Sequence, residues 1–91
     1  MTLKERGETL VITALPLEDM ALLALGIPLT EDLNRVLTAL MEGRRVAVTA
    51  EAMEYKRFRR TAPLGVYRKF VALERQLHEM GLVRAGEEGR P

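Results

Sequence analysis

The chain has 91 residues, of which 47% are apolar and 30% charged, and its net charge at pH 7 is +1. This length allows one small domain, the composition is that of a folded protein, and no apolar run approaches the roughly 20 residues of a membrane span. The absence of cysteine excludes disulfides and thiolate chemistry, and a single histidine leaves too few ligands for a zinc site made by the protein alone.

The first third of the chain predicts a strand followed by a short helix. The opening residues, MTLKERGE, lack the apolar core of a signal peptide and predict a cytoplasmic location. The run from Glu8 to Ala14 is rich in β-branched residues and predicts a strand buried on both faces. Pro16 ends this strand, and a helix follows with Glu18 and Asp19 in its first turn, where the positive end of the helix dipole favours acids.

The middle of the chain predicts a second helix and a second strand. Gly26 stops the first helix, and Thr30 is a suitable N-cap for the next, whose apolar residues recur at spacings of three and four. Gly43 ends that helix, and Val46 to Ala50 predicts the second strand. A strand, a helical connection of about thirty residues and another strand are typical of a right-handed parallel crossover.

The last third predicts one long helix. The segment from Glu51 to Arg60 is ambiguous between helical turns and a loop, and Pro63 marks the start of a helix that Gly81 ends. The fold class is therefore α/β, a small β-α-α-β-α module of the half-Rossmann kind, with a single domain at residues 1–83 and a flexible tail at 84–91. Two parallel strands leave both sheet edges open, which predicts completion of the sheet by oligomerisation or by a further element.

Positive charge is concentrated after the second predicted strand. Residues 1–54 hold five cations and nine acids, whereas residues 55–91 hold nine cations and four acids. The densest run, EYKRFRRTAP, interleaves two aromatic residues with Lys56, Arg57, Arg59 and Arg60. Aromatic and cationic side chains together are typical of single-strand nucleic-acid binders, and of a solvated basic face. The abundance of Arg and Glu over Asn and Gln also indicates a thermophilic or GC-rich source.

Residues that could carry catalysis are few. The chain has no serine or cysteine, no Gly-rich phosphate loop and no HExxH motif. Glu18 and Asp19 are adjacent on a helix and point about 100° apart, so they do not form a facing acid pair. His78 follows Glu74 by four positions, which predicts an ordinary surface hydrogen bond. These observations favour a non-enzymatic protein with no catalytic residue and no metal site.

Three motifs resemble a known family. They are ALLALG at Ala21–Gly26, the helix residues Leu37–Leu40, and the glycine, basic residue and strand entry at Gly43–Val48, followed by MEYKRFRRTAP and its long helix. Over residues 8–83 the chain resembles the C-terminal half of flavoproteins of the flavin-dependent cysteine decarboxylase type, and is most similar to the ethanolamine-utilization-associated subgroup. The family's N-terminal half, with its phosphate-binding turn and catalytic histidine, has no counterpart here.

The resemblance implies a flavoprotein-like fold and a site for flavin mononucleotide (FMN). The implied cofactor-binding residues are Pro16, Leu17, Glu18, Lys56, Arg57, Arg59 and Arg60. Pro16 and Glu18 stand where the family has a serine and an asparagine, and a proline offers no hydroxyl while a carboxylate repels a phosphate. FMN binding is therefore possible but not favoured.

Three functions remain open. The favoured one is a flavoprotein-like module that self-associates or docks on a separately encoded flavoprotein half, because the core is small and the charge is split between the two ends. The second is a flavin or nucleotide-phosphate binder with its site at an oligomer interface. The third is a nucleic-acid-binding module that uses the cations from Lys56 to Arg60. No membrane partner is predicted.

Overall fold

The structure is a computed structural model that describes residues 1–86. In chain order the elements are β1 (Thr2–Arg6), β2 (Thr9–Ala14), α1 (Leu17–Leu25), α2 (Glu31–Met41), β3 (Val46–Val48), a 3-10 helix (Glu54–Phe58), α3 (Leu64–Glu79) and β4 (Leu82–Arg84). One sheet contains the strands in the order β1-β2-β3-β4, with β1 antiparallel to β2 and the other neighbours parallel. The α/β class is confirmed, whereas the predicted count of two strands is wrong.

The two additional strands lie at the edges of the sheet. β1 turns into β2 through Gly7, whose φ of 60° favours glycine, and it carries Lys4, Glu5 and Arg6. Charged residues are common on edge strands because they discourage pairing with another chain, so β1 shows no apolar alternation in the sequence. β4 has three residues and includes Arg84, which the sequence analysis placed in the flexible tail. Ala85 and Gly86 of that tail form a turn, and residues 87–91 lie outside the described residues.

All three helices cover the same face of the sheet. Leu10, Val46 and Leu82 are aligned across β2, β3 and β4 and are buried in one cluster. The buried residues of the helices belong to that same cluster: Met20, Leu23, Leu33, Val36, Ala39, Leu73 and Leu77. Because the strands follow one another in chain order, crossovers of a single hand place every connecting helix on one side. The molecule therefore has two layers, one of helices and one of sheet.

The start and stop signals predicted for the first two helices are confirmed. Thr30 caps α2, since its Oγ1 accepts a hydrogen bond from the backbone N–H of Leu33 at 3.1 Å. Gly26 ends α1 with a φ of 73°, a left-handed conformation that favours glycine. Glu18 and Asp19 lie in the first turn of α1, as the dipole argument requires.

Glu5 ties the edge strand β1 to the helical layer. Its carboxylate forms ion pairs with Arg35 of α2 and with Arg44 in the loop before β3. The hydrogen bond from Arg44, and then the one from Arg35, hold the pKa of Glu5 below its ordinary value. The Glu5 side chain is exposed, so we expect these ion pairs to contribute little to the free energy of unfolding. They link β1 to α2 and to the loop before β3.

Candidate functional site

The chain segments that follow β2 and β3 lie side by side at the carboxyl ends of these strands. The backbone N–H of Leu15 donates to the carbonyl of Ala52 at 2.8 Å, and the N–H of Glu54 donates to the carbonyl of Leu15 at 3.3 Å. These bonds place Pro16 and the start of α1 beside the segment that leads into the 3-10 helix. The two segments predicted to bind a cofactor are therefore neighbours, and their role in binding stays a prediction.

An apolar groove opens between the 3-10 helix and α3. It encloses about 140 Å³ and is lined by Leu17, Tyr55, Phe58, Ala62, Val66, Tyr67 and Phe70. The ring of Tyr55 forms its floor, with centroids 5.3 Å from Tyr67 and 6.0 Å from Phe70. Tyr55 is buried, whereas Phe58 and Val66 remain exposed at the rim. The groove thus presents apolar side chains to solvent and no charged group in its lining.

The predicted cationic run lies beside this groove. Lys56 and Arg57 lie in sequence between the groove residues Tyr55 and Phe58, Arg59 and Arg60 follow directly, and all four cations are exposed. Lys56 Nζ is 3.7 Å from Glu74 Oε1. Within residues 1–86, Arg57, Arg59 and Arg60 form no ion pair. These four cations, called here the cationic rim, give the border of an apolar groove a positive charge.

A second, polar cavity lies where β3 and β4 end. It encloses about 180 Å³, and its lining includes Thr49, Lys56, Glu74, His78 and Arg84. The parallel register pairs Val48 with Arg84, so the carboxyl ends of both strands open onto this cavity. The carboxyl end of a parallel sheet is where α/β folds usually bind ligands.

Glu74 of α3 connects the groove to the polar cavity. Its side chain is only 13% exposed, and its carboxylate accepts a hydrogen bond from the Tyr55 hydroxyl. Lys56 Nζ lies 3.7 Å from Oε1 and His78 Nε2 lies 3.6 Å from Oε2. Burial, followed by the hydrogen bond to Glu74, raises the pKa of Tyr55 well above its ordinary value.

His78 is held by one nitrogen and unpartnered at the other. Nδ1 lies 2.9 Å from the carbonyl oxygen of Leu82, and because a carbonyl can only accept, Nδ1 donates. Nε2 is buried and has no hydrogen-bond partner among the described residues. The sequence predicted an ordinary surface hydrogen bond between Glu74 and His78. The structure corrects this, because the pair is half-buried and the imidazole bonds the backbone instead.

The raised pKa of Tyr55 predicts a loss of stability in alkali. The unfolded chain releases the tyrosine proton near pH 10, whereas the folded protein retains it, so the stabilisation is complete below about pH 10 and is lost as the pH rises further. We expect the wild-type free energy of unfolding to fall more steeply than that of Tyr55→Phe, by up to about 1.4 kcal/mol per pH unit.

Urea titrations between pH 9 and 11.5 measure this difference. Tyr67→Phe keeps the Tyr55 hydroxyl and is the control, which should retain the Tyr55-dependent decline. Parallel curves for wild type and Tyr55→Phe across this range would contradict the prediction.

Sequence reasoning missed most of the polar cavity. Thr49 was assigned to the second strand, Arg84 to the tail and Glu74 to the surface of a helix. The available signal was a polar residue at the carboxyl end of each of two neighbouring parallel strands, Thr49 directly after β3 and Arg84 as the last residue of β4, but β4 has too few residues to be recognised. Within residues 1–86 no group of three or more acidic or histidine side chains could hold a metal ion.

Comparison with known proteins gives no match. No protein-family model, curated protein or solved structure is significantly similar to the chain. The flavoprotein resemblance, with the FMN site that it implies, stays a prediction that rests on sequence motifs. In the part of the chain that the structure describes, no helix has the length and apolar character needed to cross a bilayer.

Proposed function

We propose that this protein is a non-catalytic interaction module that self-associates head to tail. In each contact an exposed apolar loop of one copy occupies the apolar groove of the next. The observation that carries the proposal is that one chain presents two different surfaces that complement each other in polarity and charge.

The first surface is the groove with its cationic rim. Phe58 and Val66 line it and are exposed, although a folded monomer gains free energy by burying such side chains. Three of the four rim arginine and lysine side chains have no ion-pair partner within residues 1–86. A bound segment with apolar side chains at its centre would cover the exposed apolar side chains of the groove. Acidic side chains beside that centre would pair with those cations of the rim.

The second surface is the last residue of α1 and the loop that follows it, from Leu25 to Leu29, called here the apolar loop. Leu25 is 70% exposed and Leu29 is 66% exposed, with Ile27 between them. Glu31 and Asp32 follow directly, and the sequence holds no lysine or arginine from residue 7 to residue 34. The loop therefore combines apolar side chains with a negative flank, as the groove requires.

The sheet edges favour these surfaces over strand pairing. The free edge at β1 carries Lys4, Glu5 and Arg6, and the edge at β4 is three residues long. Both features discourage the addition of another strand. The sheet already has four strands, so it does not need a strand from a second subunit. We therefore propose that the copies associate through side chains instead.

The geometry of the contact determines how it assembles. A loop on one copy and a groove on the next form a heterologous interface, which produces chains or closed rings rather than a two-fold dimer. Five loop residues bury far less than the area of a typical stable complex, so we expect an affinity in the micromolar range or weaker.

Sedimentation velocity of complementary variants tests the proposal. Leu29→Glu places a charge on the apolar loop, and Val66→Glu places a charge in the groove. Both residues are exposed, so both variants should fold, and circular dichroism checks this. The wild type should gain mass as its concentration rises to about 1 mM, whereas each variant alone should remain a monomer. An equimolar mixture of the two keeps one intact loop and one intact groove. It should form a species of twice the 10.3 kDa chain mass and nothing larger.

Met41→Glu is the matched control. Met41 is 89% exposed on α2 and belongs to neither surface, so this variant should associate as the wild type does. A wild type that stays monomeric at 1 mM, or a mixture of the loop and groove variants that forms no dimer, would overturn the proposal.

FMN binding is a second candidate, favoured by the proximity of the chain at Leu15 and Pro16, before α1, to the start of the 3-10 helix. The backbone bonds through Leu15 bring these two segments together at the carboxyl edge of β2 and β3. A yellow purified protein absorbing between 350 and 500 nm, or a thermal shift with added FMN, would support it. A colourless protein whose melting temperature FMN does not change would exclude it.

A further inference from the structure

We infer that the polar cavity at the ends of β3 and β4 binds a small carboxylate that also carries a hydroxyl group, the class of the 2-hydroxy carboxylates. This inference does not rest on the proposed self-association, because the cavity is separate from the apolar loop and has one residue, Lys56, in common with the cationic rim. It follows from the charges of the lining, from one unpartnered atom and from the volume.

The cationic lining selects an anion. Arg84 and Lys56 both line the cavity, and Glu74 supplies one negative charge, so the charged lining has a net charge of +1. Glu74 already interacts with Lys56 and Tyr55, whereas Arg84 has no ion-pair partner among residues 1–86. A guanidinium binds a carboxylate through two parallel hydrogen bonds, and the Thr49 hydroxyl provides a further donor at the same wall.

The unpartnered Nε2 of His78 favours a ligand that carries a hydrogen-bond donor. Since Nδ1 donates to Leu82, the neutral imidazole presents a lone pair at Nε2. That atom is buried, and a buried acceptor without a partner is unfavourable because it has lost its hydrogen bonds to water. Glu74 Oε2, another acceptor, lies 3.6 Å away. A ligand hydroxyl that reaches this corner would satisfy Nε2, which a bare carboxylate cannot do.

The volume limits the size of the ligand. A cavity of about 180 Å³ has room for several water molecules, and a 2-hydroxy carboxylate of three carbons is small enough to enter it. A nucleotide or a flavin is several times larger and would extend beyond this cavity.

Nuclear magnetic resonance of the histidine ring tests the inference. His78 is the single histidine of the chain, so its ring signals report this cavity alone. The probes are lactate of each enantiomer, propionate, which is lactate without the hydroxyl, and sodium chloride at matched ionic strength. We expect saturable shifts of the His78 signals with lactate, binding at least tenfold weaker with propionate, and no saturable shift with chloride.

Two variants and one control assign the binding to the cavity. Arg84→Met should weaken lactate binding tenfold or more, and Thr49→Val provides a second test should the Arg84 variant fail to fold. Arg68→Met removes an exposed cation of α3 that does not line the cavity, and it should bind lactate as the wild type does.

Three results would overturn the inference. They are the absence of saturable shifts with lactate, equal affinity for propionate and lactate, and equal losses in the Arg84 and Arg68 variants. The Leu29→Glu loop variant should bind lactate normally even though it does not self-associate. A failure of the cavity and a failure of the head-to-tail contact are therefore distinguishable.

Discussion

Replacing Leu77 with alanine is expected to lower the free energy of unfolding by about 2–5 kcal/mol. Leu77 is fully buried on α3 and belongs to the cluster that joins the helices to β2, β3 and β4. The truncation removes apolar contacts and leaves a cavity at the junction of the two layers. Because small domains are stable by only about 5–15 kcal/mol, a change of this size unfolds a substantial fraction of the protein on modest warming.

Urea denaturation followed by circular dichroism measures this loss. Val71→Ala is the matched control, since Val71 is on the same helix but 47% exposed, and its truncation should change the free energy of unfolding by less than about 1 kcal/mol. Equal losses in the two variants would show that α3 does not pack against the sheet as described.

Replacing Gly81 with alanine is expected to lower the free energy of unfolding by about 1–3 kcal/mol. Gly81 joins α3 to β4 with a φ of 118°, a conformation that residues with a Cβ rarely adopt. A Cβ there would lie 3.4 Å from Leu40 Cδ2 of α2, which is an ordinary van der Waals contact, so the expected loss comes from the backbone conformation. The strain acts on the connection that positions β4, and with it Arg84 at the polar cavity.

Gly65→Ala is the control, because it is not expected to lower the free energy of unfolding. Gly65 lies in the first turn of α3, has no positive φ, and has open space where a Cβ would be built. Alanine there should leave stability unchanged or raise it by up to about 1 kcal/mol, because alanine has the higher helix propensity. A Gly81 variant as stable as the Gly65 variant in the same denaturation experiment would contradict the expected strain.

The sequence located the helices because their signals are local. Thr30 caps α2 through an atom three residues away, and Gly26 stops α1 through its own backbone angle, so neither depends on the rest of the fold. β2 was equally clear, since its central residues Leu10, Val11 and Ile12 are apolar and buried, and β-branched residues are enriched in strands. The strands that were missed are edge strands, in which charge and shortness remove the apolar pattern.

The candidate sites were less accessible to sequence reasoning. The basic run at Lys56–Arg60 was visible as composition, but its relation to an apolar groove depends on Tyr55 turning inward against Tyr67 and Phe70. Glu74 and His78 were visible as a helical pair. Their participation in a cavity depends on where β4 pairs, which is a contact between residues that are distant in sequence.

By itself, therefore, the sequence determined an α/β domain, two parallel strands with helical connections, the helix boundaries, the absence of thiol chemistry and a basic segment after the second strand. These follow from periodicity, capping residues and composition, which act over a few positions. Only the tertiary structure decided that the sheet has four strands, that all helices lie on one face, and that Arg84, Lys56, Glu74 and His78 surround one cavity. The register of β3 against β4 fixes those neighbours, and register is set by packing against α3, which no short stretch of sequence specifies.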